Sequence, residues 1–354
     1  MDRVRLAIVG CGYISVLNAP GYLQHPRCEV AALCDPIRER AEGRAREWGI
    51  DPKIYTRYED VLDDPEIDAV ELLTPTHMHA RQSIDALDAG KHVSCQKPVA
   101  VSVAETEEVI AAVSRSSTKF RVTENFLFYP PLVKAKELLD SGAIGEPSMV
   151  RIRTVRGVRP EGAPSRMPPD ALAWRQDPNA NPGGLLYDDG WHKFATAMWW
   201  LGEVDAVYAM VTRSDSYWLE MPSAVMWRFR RKDCLATFDF ASADELPIRS
   251  SLAAADEFFE IQGSKGAIWV TRCTGELLDM PPVMLLKGTE TTSFQIQMDW
   301  LSSFNGAARD FIDCIVADRQ PNMDVHFSKR VLQATLAVYA SSEAKREIDP
   351  STIT

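Results

Sequence analysis

The chain has 354 residues, 45% hydrophobic and 25% charged, the composition of an ordinary globular protein with room for about two domains and two sizeable cores. Its formal net charge of −11 excludes a protein sheathed in polyanionic nucleic acid, and no apolar run approaches the length of a membrane span. Met1-Asp2-Arg3 leads straight into an apolar strand without a signal-peptide pattern, so a cytoplasmic protein with neither membrane nor nucleic-acid partners is expected.

Arg5-Leu6-Ala7-Ile8-Val9 reads as a buried strand that runs into Gly10-Cys11-Gly12-Tyr13-Ile14-Ser15 and then a helix. This is the pattern of a dinucleotide-binding turn. Gly10 permits the tight turn, Gly12 lets a pyrophosphate approach the backbone, and the helix that follows offers free N–H groups. An ordinary strand-to-helix turn can carry the same residues, and the third position is Ser15 rather than glycine. The next strand, Val30 to Cys34, ends in Asp35, placed to accept hydrogen bonds from the adenosine ribose. A carboxylate there repels a 2′-phosphate and argues for NAD over NADP. Asp35 before Pro36 also suits a plain turn, but the two features together point to a dinucleotide site.

Pro36 to Trp48 and Tyr58 to Leu62 read as helices, and Ala69 to Leu73 as a strand ending in Thr74-Pro75-Thr76-His77-Met78-His79. Such a strand-end loop lies over the cofactor of a doubly wound sheet. With no third ligand nearby in sequence, His77 and His79 belong to the loop and helix start, and no metal is expected. Seven cysteines without CxxC spacing fit reduced, buried thiols. After a helix to Ala89, Val93 and Cys95 form a short strand that Pro98 stops. Lys97 then stands at a strand end. It reads either as a solvated lysine or as a partly desolvated proton shuttle in the ligand crevice. A helix over Val103 to Val113 and a strand over Phe120 to Thr123, ending at Glu124-Asn125-Phe126, complete an alternation that predicts a parallel sheet with helices on both faces.

The pattern changes after Asn125, giving expected domains at 1–125 and 126–354, the last helix packing back on the first domain. Pro130 to Ser141 is helical, and Pro147 to Val155 alternates with period two as an antiparallel-type strand. Arg151 and Arg153 share one face of it, read as a solvated face ahead of an anion site. A long run from Arg156 to Pro182 is irregular; Trp174-Arg175 within it can stack on a sugar or anchor the loop. Gly183 to His192 opens a helix to Leu201 on which Asp188 and His192, four apart, share a face and can hold a hydroxyl and move its proton. A helix-entry aspartate and a core-facing histidine give the same residues. Two hairpins follow, one turning at Arg231-Lys232-Asp233 and one at Gly263-Ser264-Lys265-Gly266, and helices over Phe304 to Ala317 and Ser328 to Lys345 close an α+β second domain with an open, mostly antiparallel sheet.

These pieces resemble, over essentially the whole chain, the glucose–fructose oxidoreductase / inositol dehydrogenase superfamily (Gfo/Idh/MocA). The resemblance rests on Gly10-Cys11-Gly12, Thr74-Pro75 with His79, Gly90-Lys91-His92-Val93 leading to Lys97-Pro98, Asp188-Asp189-Gly190-Trp191-His192, Phe259 to Gly266, and the closing segment from Pro321. It implies a Rossmann domain followed by an α/β domain whose open sheet makes homo-oligomer contacts, and NAD(P)-dependent chemistry at secondary alcohols of sugars and cyclitols. By resemblance, Lys97, Asp188 and His192 fall on the catalytic lysine, aspartate and histidine. Gly10, Gly12, Tyr13, Ile14, Asp35, Thr74, Pro75, His79, Gln96, Lys97 and Asn125 are then expected at the cofactor. Tyr129, Arg156, Trp174 and Arg175 are expected, with the catalytic three, at the substrate. Where the family has Glu-Lys-Pro this chain has Gln96-Lys97-Pro98, which removes a charge that would favour protonated Lys97. Two further readings stay open: an NAD-dependent glycosidase that oxidises, eliminates and re-reduces, and a non-catalytic cofactor-binding regulator.

Overall fold

The computed structural model describes residues 2–161, 169–213, 218–230, 233–250 and 253–354. Two compact units emerge. The first comprises Met1–Asn125, Pro168–Pro182 and Phe304–Leu332; the second comprises Phe126–Met167, Gly183–Ser303 and Gln333–Thr354.

In the first unit strand and helix alternate: β1 (Val4–Val9), α1 (Ser15–Leu23), β2 (Cys28–Cys34), α2 (Arg38–Trp48), β3 (Lys53–Tyr55), α3 (Tyr58–Leu62), β4 (Ala69–Leu72), α4 (Thr76–Asp88), β5 (His92–Gln96), α5 (Val103–Arg115) and β6 (Phe120–Thr123). The strands run in the order β3-β2-β1-β4-β5-β6, and every pair is parallel. This is a doubly wound sheet whose order reverses between β1 and β4, the position where such sheets bind ligands. Its inner strands read as unbroken apolar runs because helices cover both faces: Leu6, Ile8 and Leu33 have no exposed surface. The short edge strand β3 was not foreseen, since Lys53-Ile54-Tyr55 has too few residues to show a period.

One polar cluster is sealed inside this unit. Tyr22 donates its hydroxyl hydrogen to the Glu71 carboxylate, and Arg121 donates to Tyr22 Oη at 3.2 Å, to Ser94 Oγ at 2.9 Å and to the Ala307 carbonyl. Burial pushes the Glu71 carboxyl above its ordinary range, against the pull of Arg121. Phe311 and Ile312 join Leu6, Ile8 and Leu33 in the same core. These contacts are why the late segment Phe304–Leu332 groups with the start of the chain rather than with its sequence neighbours.

The remaining elements are α6 (Pro130–Asp140), β7 (Pro147–Val158), α7 (Pro169–Ala173), α8 (Leu185–Leu201), β8 (Val204–Val211), β9 (Ser223–Phe229), β10 (Leu235–Pro247), β11 (Ala255–Gly263), β12 (Gly266–Val270), β13 (Val283–Lys287), β14 (Glu290–Phe294), α9 (Leu301–Val316) and α10 (Val325–Ala344). An eight-stranded sheet runs β14-β13-β12-β11-β7-β10-β9-β8. All its pairs are antiparallel except β7 with β10, so the sheet is mixed. Period two in β7 reported its burial but not the direction of its neighbours. On β9 the alternation is complete: Val225, Trp227 and Phe229 face the core while Ala224, Met226 and Arg228 face out.

The run from Arg156 to Pro182 is less irregular than expected. Residues 156–158 belong to β7, and Pro169–Ala173 and Trp174–Gln176 form short helical turns. Residues 162–168, and the turn residues Arg231 and Lys232 of the first hairpin, lie outside the described residues.

Candidate active site

Gly10 adopts φ +96°, and a Cβ there would stand 2.7 Å from the Leu73 carbonyl oxygen, so only glycine lets β1 turn away beside β4. At Gly12, in contrast, a Cβ would meet nothing within 4 Å. The backbone lies open there, and α1 follows with Ile14 in the capping position; the Ser15, Val16 and Leu17 N–H groups turn back onto the Gly12, Tyr13 and Ile14 carbonyls at 3.3, 3.3 and 3.1 Å. Asp35 is buried. Its Oδ2 accepts from the Cys11 N–H at 2.9 Å and its Oδ1 from the Ile37 N–H at 2.9 Å. Arg44 of α2 donates from Nε to the Cys11 carbonyl and from Nη2 to the Gly12 carbonyl, both at 3.3 Å. The peptide of Cys11 is thus held from both sides by an acid and a base. The open face at Gly12, the helix that starts just after it and the acid at the end of β2 fit a dinucleotide. Tyr13 is partly exposed and Ile14 packs against the core beneath.

The ends of β4 and β5 are tied together by His79. This imidazole is buried, with Nδ1 2.7 Å from the Pro98 carbonyl oxygen and Nε2 2.8 Å from that of Thr74. Burial pushes its pKa down to about 4, so the ring is neutral at pH 7 and donates to one of the two carbonyls. Among the described residues no group of three His, Cys, Asp or Glu is placed to hold a metal. Lys97 follows the last residue of β5, and its backbone N–H donates to Gln96 Oε1 at 2.9 Å. Asn125, buried, begins the turn that leaves β6.

In the second unit the chemistry gathers on α8. The helix starts at Gly183-Gly184 because two other segments leave no space for a side chain. A Cβ on Gly184 would stand 2.6 Å from the Trp218 carbonyl and 2.7 Å from the Glu220 carboxylate. Glu220, buried, accepts from the N–H groups of Gly184 at 3.1 Å and Leu186 at 2.9 Å, and from Tyr339 Oη at 2.9 Å. It caps the helix from a distant strand connection, with its negative charge at the positive end of the helix dipole. Asp188 and His192 are both helical and stand on one face.

His192 stacks on Phe126 with ring centroids 4.1 Å apart and planes 10° from parallel. Trp300 meets Phe126 edge-on at 4.7 Å and Tyr129 at 5.1 Å. Tyr129 has no exposed surface, and its hydroxyl donates to the Met298 carbonyl at 3.2 Å. It lines a cavity of about 350 Å³ together with Arg272, Cys273 and Thr274. Below Phe126, the Lys193 ammonium stands 4.9 Å from the ring centroid. Lys193 is fully buried; it pairs with Asp189 at 3.0 Å and with Glu257, whose other oxygen accepts from Thr274 Oγ1 at 2.7 Å.

The arginines resolve differently. Arg151 and Arg153 are half-exposed and pair across the sheet, Arg151 with the partly exposed Glu260 and Arg153 with the buried Asp256. Arg156 is partly buried, and burial pulls its pKa below the ordinary range. The Arg175 guanidinium lies 4.3 Å over the Trp174 ring and donates to the Ala171 carbonyl at 2.6 Å, so the pair secures its own turn.

Sequence reasoning passed over Arg44, Phe126, Glu220 and the Lys193 cluster. Asp189 and Lys193 carried a readable signal, four apart on the helix that holds Asp188 and His192. Glu220 and Glu257 carried none, because each meets the helix residues it holds from more than thirty positions away.

Comparison with known proteins shows the family of the chain. Residues 4–124 match the oxidoreductase family with an NAD-binding Rossmann fold, and residues 132–269 match the GFO/IDH/MocA C-terminal domain. The uncharacterised oxidoreductase YrbE of Bacillus subtilis (strain 168) is 31% identical over 270 residues, covering 75% of this chain and 73% of that protein. The scyllo-inositol 2-dehydrogenase (NAD(+)) of the same organism is 27% identical, covering 90% and 88%. Among solved structures, a levoglucosan dehydrogenase in complex with NADH and levoglucosan superposes with a TM-score of 0.81 at 20% identity, over 98% of this chain and 99% of that one, a likeness of fold. With both family domains matched in order along one chain, the protein belongs to the GFO/IDH/MocA oxidoreductases, with an NAD-binding Rossmann domain at its start.

Proposed function

We propose that the protein is a dehydrogenase that oxidises a secondary hydroxyl of a sugar, glycoside or cyclitol with NAD. The observation that carries this reading is Asp188 and His192 on one face of a helix whose start is fixed by a buried carboxylate. The names of two relatives add to it, one a scyllo-inositol dehydrogenase and one a levoglucosan dehydrogenase.

Gly10, Gly12, Tyr13 and Ile14 would hold the pyrophosphate, Asp35 the adenosine ribose, and Thr74, Pro75, Gln96 and Asn125 the nicotinamide half. Bound NAD supplies the hydride acceptor. In this reading Lys97 or His192 takes the hydroxyl proton as the carbinol hydrogen departs as hydride, and Asp188 orients the substrate. His79, neutral and lodged between the Pro98 and Thr74 carbonyls with one N–H to donate, helps set the position of Lys97-Pro98 without moving a proton.

NAD is expected to bind more tightly than NADP, because a 2′-phosphate would meet the Asp35 carboxylate. Asp35→Ala should narrow the gap. Fluorescence titrations with both cofactors check this, and equal affinity in the parent would remove Asp35 as the discriminator.

The assay for the reaction itself is a panel of sugars, cyclitols and glycosides with NAD in heavy water. NADH accumulating with a keto product is the expected result. Aglycone release with deuterium uptake at a ring carbon and no net NADH would instead establish the redox-neutral glycosidase.

A further inference from the structure

We propose that the uncharged amide of Gln96, placed at the nicotinamide riboside half of the cofactor, sets how the protein divides its affinity between NAD+ and NADH. This deepens the NAD-dependent reading above and rests on it.

The orientation of the Gln96 amide is decided by its neighbour. A backbone N–H can only donate, so the atom 2.9 Å from the Lys97 nitrogen must be the oxygen, Oε1. The amino end, Nε2, therefore points away from that bond. It is buried, and no described residue accepts from it. Buried donors are nearly always paired, and one left open at a strand end in a ligand crevice calls for an acceptor from outside the chain. In a sheet of order β3-β2-β1-β4-β5-β6, the half around β1 and β2 carries the glycine turn and Asp35 and takes the adenosine side. The β4-β5-β6 half takes the nicotinamide side. Gln96 ends β5. The acceptors within that half of the cofactor are the carboxamide oxygen and the ribose oxygens.

The charge follows from the same geometry. A carboxylate at position 96 would keep the bond from Lys97 N–H and set its second oxygen, with a negative charge, where Nε2 now stands. NAD+ carries a positive charge on the nicotinamide ring that NADH lacks, so that carboxylate would favour the oxidised form. The amide has no such preference. The parent protein therefore holds NADH better, relative to NAD+, than it would with an acid at this position.

The test uses the full chain and needs no substrate. Gln96→Glu and Gln96→Leu are titrated with NAD+, with NADH and with ADP, which lacks the nicotinamide riboside. In Gln96→Glu the ratio of NAD+ to NADH affinity should rise about tenfold, the scale of one charge near a partly desolvated site. In Gln96→Leu both dinucleotides should weaken together, with the ratio unchanged. ADP should bind all three proteins alike, which also shows that the variants are folded. An unchanged ratio in Gln96→Glu, or dinucleotide binding at parent strength in Gln96→Leu, would overturn the inference while leaving the dehydrogenase reading standing. A parent that binds ADP but neither dinucleotide would overturn the reading on which the inference rests.

Discussion

Replacing Lys97 with methionine is expected to cut turnover by about 100-fold or more, the usual scale for a positioned acid or base, while NAD still binds. Methionine keeps the length and apolar stem of the side chain and removes only the ammonium. The backbone N–H of residue 97, which anchors Gln96 Oε1, is untouched. His192→Ala should show the same split, since His192 stands in the second unit and away from the glycine turn in sequence. Steady-state kcat measured beside a cofactor titration checks both variants. Near-normal turnover in either would remove that residue from the catalytic assignment.

Lys193→Met is expected to destabilise the protein by about 3–5 kcal/mol, the scale for breaking a buried ion pair by removing one partner. Lys193 has no exposed surface and Glu257 almost none. Burial alone would pull the Lys193 ammonium down, yet Asp189 and Glu257 hold it above the ordinary lysine range. Burial likewise lifts Glu257, but Lys193 and then Thr274 bring it below the usual carboxylate value. Removing the cation leaves the buried Glu257 carboxylate with Thr274 as its remaining polar support and Asp189, whose side chain is about 26% exposed, without its partner. It also takes the cation from beneath Phe126, on which His192 stacks. The midpoint of urea unfolding, followed by tryptophan fluorescence, should fall well below that of the parent. An unchanged midpoint would mean that the cluster relaxes or takes in water at little cost.

Much of the first unit was legible because its signals are local. A buried parallel strand is a short apolar run, and a glycine turn must sit where the strand ends. That is why β1, β2, β4, β5 and β6 could be placed within a residue or two. The second unit was less legible. β8, β13 and β14 were missed: Glu290-Thr291-Thr292-Ser293-Phe294 is an exposed edge with no buried face to impose a period. The parallel pairing of β7 with β10 joins residues more than eighty positions apart, and nothing in either strand states its partner's direction.

The site divides in the same way. The spacing of Asp188 and His192 on a helix could be read directly. What holds that helix could not. Glu220 reaches Gly184 and Leu186 from a different part of the chain, and Tyr339 completes the cap from α10. The same is true of Arg44, whose hold on the Cys11 and Gly12 carbonyls depends on how α2 packs.

The most direct test of hydride transfer follows the hydrogen itself. A substrate found in the panel is deuterated at the carbinol carbon and incubated with NAD and the protein in ordinary water, and the reduced cofactor is recovered for mass spectrometry. Transfer of hydride from carbon predicts reduced cofactor one mass unit heavier, in amount equal to the keto product. Label appearing in water, or product formed with no labelled reduced cofactor, would contradict the account.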